Sequence, residues 1–342
     1  MSAELDFTIG RAAIAYSGRV PWHGHGIQLD PNSDFDQWRI AAGLDYEVDK
    51  RKIFYSEVND VGKRVPKSID NRRALIRTDT QGFLSIVGND YHVVQPRKVF
   101  EFFQAIIHNE GLNIEVAGAL DGGRKIWALA KIDDSFTLFG RDHQIPYVLV
   151  ATSYDGSLST QACLTTVRVV CNNTMRASGA YGAESGADSV KVRHDREFNI
   201  KEAHGKLGLD EQAWLAYKEN IENLARFNIS KEEVLEYFFT IADQGDDIVR
   251  NADNGNIISF PEPSRVTKQF INAYLNGPGA DLEGTRDTLW GAFNAVSFYQ
   301  DHLAPDNGNG RRWNSTTFGG GNVRKQHAFS LAVSKFGEAV AA

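Results

Sequence analysis

The chain has 342 residues, a net charge of −7, 42% hydrophobic and 24% charged residues. That is enough for one large domain or two ordinary ones with a sizeable core, and the acidic total excludes a nonspecific polycation. No apolar run approaches the ~18 residues of a membrane helix, and MSAELDFTIG at the start has neither the basic nor the apolar region of a secretory signal. A cytoplasmic protein without membrane contact is expected. Cys163 and Cys171 form no CxxC pair and read as small buried hydrophobes of a reducing compartment.

The charge is uneven. Lys50 to Arg77 holds nine Lys/Arg against Glu57, Asp60 and Asp70, while Glu197 to Asp247 holds twelve carboxylates against five cations. An acidic protein can carry a basic groove, because phosphate binding depends on the local field. Ordinary solvated faces are the alternative reading of both segments.

In chain order, residues 1–45 read as an irregular lead-in. His23 and His25 form His-x-His without further ligands at useful spacing, so a loop packed by Trp22 is expected there. Ser33 or Asp34 can cap a short helix through Ala42. Lys52–Val58, Arg72–Arg77 and Phe83–Val87 are strand candidates separated by turn residues. Pro96 suits a first helical turn, and Val99, Phe102, Phe103, Ile106 and Ile107 follow at helical spacing up to Gly111. Strands Asn113–Leu120 and Arg124–Ile132 flank Asp121-Gly122-Gly123, which places Arg124 and Lys125 at a hairpin tip.

Tyr147 to Met175 reads as two long strands about Asp155-Gly156, with Arg168 lifted from the middle of the return strand. Asn172-Asn173-Thr174 then suggests a turn and a helix N-cap. Residues 177–189 are nearly all Gly, Ala, Ser and acid around Tyr181, which predicts a mobile loop ending in the cations Lys191, Arg193 and Arg196. A long helix over Asn199–Phe227 follows, then a capping box, Ser230 with Glu233, opening Lys231–Ala242. Asp243, Asp246 and Asp247 are read as a solvated turn. Ser264 opens a helix stopped by Asn276-Gly277-Pro278, and Thr285 opens the next. A glycine-rich basic stretch with Arg311, Arg312 and Trp313 lacks the Gly-Lys-Ser/Thr of a phosphate loop, and a terminal helix runs to Val340.

YHVVQP (91–96), SYDGS (153–157), TTVRVVCNNTM (165–175), LWGAFNAVSFYQDH (289–302) and FGGGNVRKQHA (318–328) together resemble the phage- and plasmid-borne family catalogued as domain of unknown function 932. The resemblance implies a mobile-element or prophage origin and a cytoplasmic location in a bacterial host. It supplies no assigned catalytic residue.

The residues themselves carry little catalytic signature. No G-x-S-x-G elbow surrounds Ser153, Ser157 or Cys163, and Asp155 is explained by its turn. No catalytic residue, cofactor or metal is therefore expected. The strand order followed by a long helix predicts an α+β fold, a curved antiparallel β-sheet with a long backing helix, similar to single-strand annealing recombinases. A helical C-terminal region completes it, with divisions at 1–45, 46–228 and 229–342. The expected function is single-stranded DNA binding and annealing in recombination or replication, by a homo-oligomer forming a ring or filament. The candidate phosphate contacts are Arg168, Arg176, Lys191, Arg193, Arg124, Lys125, Arg311 and Arg312, with Trp313 and Tyr181 for base stacking. The alternatives are an oligomeric protein-interaction module, such as a host-defence inhibitor, and a metal-dependent nucleic-acid enzyme.

Overall fold

The computed structural model describes residues 5–18, 20, 24–101, 113–132, 134–168, 173–176, 189–192, 194, 211–305 and 311–341. They build an α+β protein of two compact units interleaved along the chain. The first comprises Met1–Asp133, Tyr147–Cys163 and Ser189–Gly208; the second comprises Asp134–Pro146, Leu164–Asp188 and Leu209–Ala342. This division is discontinuous, unlike the expected three consecutive regions, because two strands each contribute residues to both units.

In chain order the elements are β1 (Ile14–Tyr16), β2 (Ile27–Gln28), α1 (Phe35–Ala41), β3 (Val48–Val58), β4 (Arg64–Arg77), β5 (Phe83–Gly88), β6 (Asn113–Leu120), β7 (Lys125–Lys131) and β8 (Phe136–Leu138). Then come β9 (Asp142–Ser153), β10 (Thr160–Arg168), β11 (Asn173–Arg176) and β12 (Ser189–Val192). The helices that follow are α2 (Glu211–Arg226), α3 (Lys231–Ile241), α4 (Arg265–Asn276), α5 (Leu289–Phe298), α6 (Arg311–Thr317) and α7 (Gly320–Ala341).

In the first unit β10, β9, β7, β6, β1 and β2 lie side by side, with β12 also on β10. The lead-in is thus not irregular: β1 pairs antiparallel with β6 and parallel with β2, and Ala13, Ile14 and Ala15 are fully buried. Gly118 makes this close approach possible, since a Cβ there would sit 2.7 Å from the Ala13 carbonyl oxygen. The helix at 96–101 matches its expected start, and the rest of that stripe lies outside the described residues. A separate sheet, β3-β4-β5, turns Val48, Leu75, Leu84 and Val87 inward.

The second unit packs α2, α3, α4, α5 and α7 around Tyr217, Ile221, Phe238, Phe270, Phe293 and Phe329. Its caps follow the sequence. The Ser230–Glu233 capping box opens α3, Ser264 caps α4, and Gly277 closes it. Thr288, rather than Thr285, caps α5, while the Thr285 hydroxyl bonds the Gly279 and Leu282 carbonyls. Of the expected turn and N-cap, Asn173 and Thr174 stand instead in β11, which pairs antiparallel with β10, and Asn172 lies outside the described residues. A π-helical turn, Tyr299–Leu303, ends α5, and Asp301 there forms a buried ion pair with Lys325 at 2.7 Å. No helix among the described residues is long and apolar enough to cross a membrane.

Candidate nucleic-acid interface

β3 and β4 form a hairpin longer than the unit's core can cover. β5 ends opposite Arg72, so Ile53–Val58 and Arg64–Ile69 continue as a two-stranded ribbon. At the junction β4 inserts residues 70–72 with no counterpart in β3, a bulge of the kind that bends and twists a strand. The tip closes on Asn59, whose side chain accepts from the Lys63 N–H at 2.8 Å, with Gly62 at φ 75°.

Side chains alternate along a strand, so the ribbon has two different faces. One carries Lys52, Phe54, Ser56 and Val58 with Arg64, Pro66 and Ser68 opposite the last three. Phe54 is 59% exposed and Val58 62%. Lys52 and Arg64 flank them, and among the described residues their side chains have no hydrogen-bonding or ionic partner; the same holds for Lys63 and Arg72. Lys52 and Val58 are six residues apart, ~20 Å at strand rise. On the other face charges are internally neutralised: Lys67 pairs with Glu57 at 3.0 Å and Arg51 with Asp49 at 3.3 Å. A two-stranded ribbon contributes little stability by itself. Exposed aromatic and branched residues between unpaired cations therefore point to a ligand rather than to the core.

The ribbon's root is fixed by Arg77, the last residue of β4, whose side chain is fully buried. It donates to Asp6 at 2.6 Å, to both oxygens of Asp79 at 2.7 and 3.0 Å, to Thr8 and to the Gly122 carbonyl, and its guanidinium lies 4.0 Å from the Tyr46 ring centroid. Burial pushes the Tyr46 hydroxyl up. Burial alone would also raise Asp79; the Arg77 hydrogen bond, then the Thr80 N–H, outweigh it and hold the carboxyl below its ordinary value.

The residues expected to bind nucleic acid are not gathered into one groove by what is described. Lys125 is buried, not at an exposed tip, because β7 runs between β6 and β9; its ammonium lies 3.9 Å from Asp155. Arg124 donates to the Leu84 carbonyl at 2.9 Å and to Asp121 at 3.1 Å. Arg312 donates to the Ala304 carbonyl at 2.9 Å, and Trp313 packs edge-on against Phe318. Lys125 is thus an interior residue, while Arg124, Arg312 and Trp313 are partly exposed and make contacts within the protein. For Arg168, Arg176, Lys191 and Arg311 the description covers the backbone alone: Arg176 stands opposite Thr165 on β10, and Lys191 opposite Gln161. Tyr181, Arg193, Trp22 and all of the loop expected over 177–189 except Ser189, which opens β12, lie outside the described residues.

A second cluster in the first unit ties YHVVQP to SYDGS. The Tyr91 hydroxyl donates to the Ser153 carbonyl at 2.9 Å, and the Tyr154 hydroxyl to the Val94 carbonyl at 2.9 Å. The His194 ring stacks on Tyr91 with centroids 4.6 Å apart. Burial alone would raise Asp155; hydrogen bonds from Ser157, then Ser153, and the Lys125 charge hold its carboxyl below its ordinary value. Every polar group in this set has an internal role, so the cluster reads as scaffold. Among the described residues no three His, Cys, Asp or Glu side chains are placed to hold a metal ion.

The ribbon was not among the candidate sites read from the sequence, although its charge excess was visible. The missed signal is KRKIFYSEV, where two adjacent aromatics follow three cations without the alternation of a half-buried strand.

No curated protein and no solved structure matches this chain. The family model described as "Domain of unknown function (DUF932)" matches residues 83–333, beginning at the first residue of β5, with the ribbon just upstream. Since that span covers well over half of the sequence, the chain belongs to the family of domain of unknown function 932.

Proposed function

We propose that this protein binds single-stranded DNA and promotes its annealing in recombination or replication of a mobile element, without catalytic chemistry. The observation that carries the reading is the ribbon face on which the unpaired Lys52 and Arg64 flank exposed Phe54 and Val58. Single strands are held by cations tracking phosphates and by aromatic rings stacking on bases, at ~1–3 kcal/mol per base. Lys63 and Arg72 add charge to the same ribbon and its root. An antiparallel sheet together with the long helix α2 is also similar to the annealing recombinases, a fold-level analogy. Arg168 and Arg176, on β10 and β11 in the second unit, and Lys191, on β12 in the first, belong to the proposal as separate candidate phosphate contacts. Annealing brings two strands together, which favours more than one copy of the chain.

A gel shift with a labelled oligonucleotide at low and high salt tests this. Retardation at low salt should fall steeply with added salt, by ~0.7 log units in affinity per log unit of salt for each neutralised phosphate. No retardation at low salt, with or without magnesium, would replace the reading with an oligomeric protein-interaction module.

A further inference from the structure

The outer edge of β3 is open, and Val48 shows which residues face it. Its N–H donates to Gln95 Oε1 at 2.9 Å and its C=O accepts from Gln95 Nε2 at 3.0 Å, so both groups turn away from β4. Backbone groups alternate sides along a strand, and β3 has no inserted residue, the insertion lying in β4. Lys50, Lys52, Phe54, Ser56 and Val58 therefore turn N–H and C=O outward. Among the described residues no backbone group meets them there, since β3 is the end strand of its sheet.

The ribbon's other edge is blunted. Pro66 offers no N–H, and the bulge at 70–72 breaks the strand's regularity. β3 has neither device, and its own cations stop at Lys52. A long edge with exposed Phe54, Tyr55 and Val58 is the kind that natural sheets protect unless a partner uses it.

We propose that β3 pairs antiparallel with β3 of a second copy about a two-fold axis at Phe54. The outward-facing residues then meet as hydrogen-bonded pairs: Phe54 with Phe54, Lys52 with Ser56, Lys50 with Val58. On the opposite face Arg51 of each copy, already paired with its own Asp49, stands across from Glu57 of the other, already paired with its own Lys67, so the two intramolecular pairs join into one alternating charge array and the match occurs twice. An axis at Ile53 would set Asp49 against Glu57, and one at Tyr55 would leave Glu57 facing Ile53; both lose the match. Because the axis is perpendicular to the sheet, the faces bearing Lys52, Phe54 and Arg64 lie on one side of the joined sheet. The pairing goes beyond the nucleic-acid reading and does not require it. It is isologous and closed, in contrast to a ring or filament.

Sedimentation equilibrium of the full chain at tens of micromolar should give a dimer. Ser56→Pro removes only an outward N–H, so it should keep the far-UV circular dichroism of the parent and sediment as a monomer. Phe54→Cys places two thiols on Cα atoms ~5.5 Å apart, within disulfide range, and should cross-link under mild oxidation. Ser56→Cys leaves its two thiols four positions out of register, roughly 13 Å apart, and should not. A monomeric parent, a dimeric Ser56→Pro, or Phe54→Cys cross-linking no faster than Ser56→Cys overturns the pairing. A monomer that still retards oligonucleotide would remove the dimer and leave the binding reading intact.

Discussion

Replacing Arg77 by leucine should be the most damaging single change in the first unit. The substitution removes bonds to Asp6 at 2.6 Å and to Asp79 at 2.7 and 3.0 Å, and it strands Asp6, whose side chain has no solvent exposure. Breaking a buried pair by deleting one partner costs ~3–5 kcal/mol, because the remaining charge is left uncompensated. At ~2–4 °C per kcal/mol for a unit of this size, the Tm should fall by roughly 6–20 °C. Circular dichroism melts of the parent, Arg77→Leu and Asp6→Leu/Arg77→Leu check this. Adding Asp6→Leu should recover part of the loss, since the buried Asp6 charge is no longer stranded. The pH dependence supplies an independent readout. Asp79 has a depressed folded pKa, so its contribution is present above the unfolded carboxylate value, ~3.9, and is lost as pH falls through the lower folded value. That acid-side loss should be absent in Arg77→Leu. A Tm drop under 2 °C with an unchanged acid limb would refute the reasoning.

Three further outcomes follow from local geometry. Gly123→Ala should destabilise the same node by more than ~1 kcal/mol, because Gly123 has φ +85° and a Cβ there would lie 2.5 Å from Arg77 Nη1; a melt unchanged within error would contradict this. In the second unit, Lys325→Met should cost ~3–5 kcal/mol by removing the 2.7 Å ion pair to the buried Asp301 carboxylate, and Asp301→Leu added to it should recover part of that loss in a urea titration. Ser230→Ala should cost ~0.5–2 kcal/mol by removing the α3 cap, without changing oligonucleotide binding.

The sequence made the local punctuation readable and left the long-range partners hidden. Asp34, Ser230 and Ser264 cap helices because their oxygens reach N–H groups two or three residues on, a contact encoded by spacing alone. The Asp155-Gly156 turn between β9 and β10 is of the same kind, with Gly156 at φ 76°. β1 was missed because three residues between turn signals become a strand only through β6, about a hundred positions away. Asn173 and Thr174 looked like a turn because their partners, Arg168 and Val167, complete a ladder that propensity does not reveal. At the candidate site the error ran the other way. Lys125 looked exposed because it follows a turn, yet the strand it begins is central in its sheet and its side chain is buried. The ribbon's charge was legible, but its exposure depends on how far β3 and β4 overrun β5, a difference in strand lengths that composition does not show.

The central claim is that unpaired cations on the ribbon contact the phosphates of a single strand. Its most direct measurement is the salt dependence of oligonucleotide affinity for the parent and for a Lys52→Ala/Lys63→Ala/Arg64→Ala/Arg72→Ala variant. If each cation neutralises one phosphate, the slope of log affinity against log salt should be shallower by about 2.8 in the variant, with weaker binding at every salt concentration. Identical slopes and affinities in the two proteins would contradict the claim and move the binding surface off the ribbon.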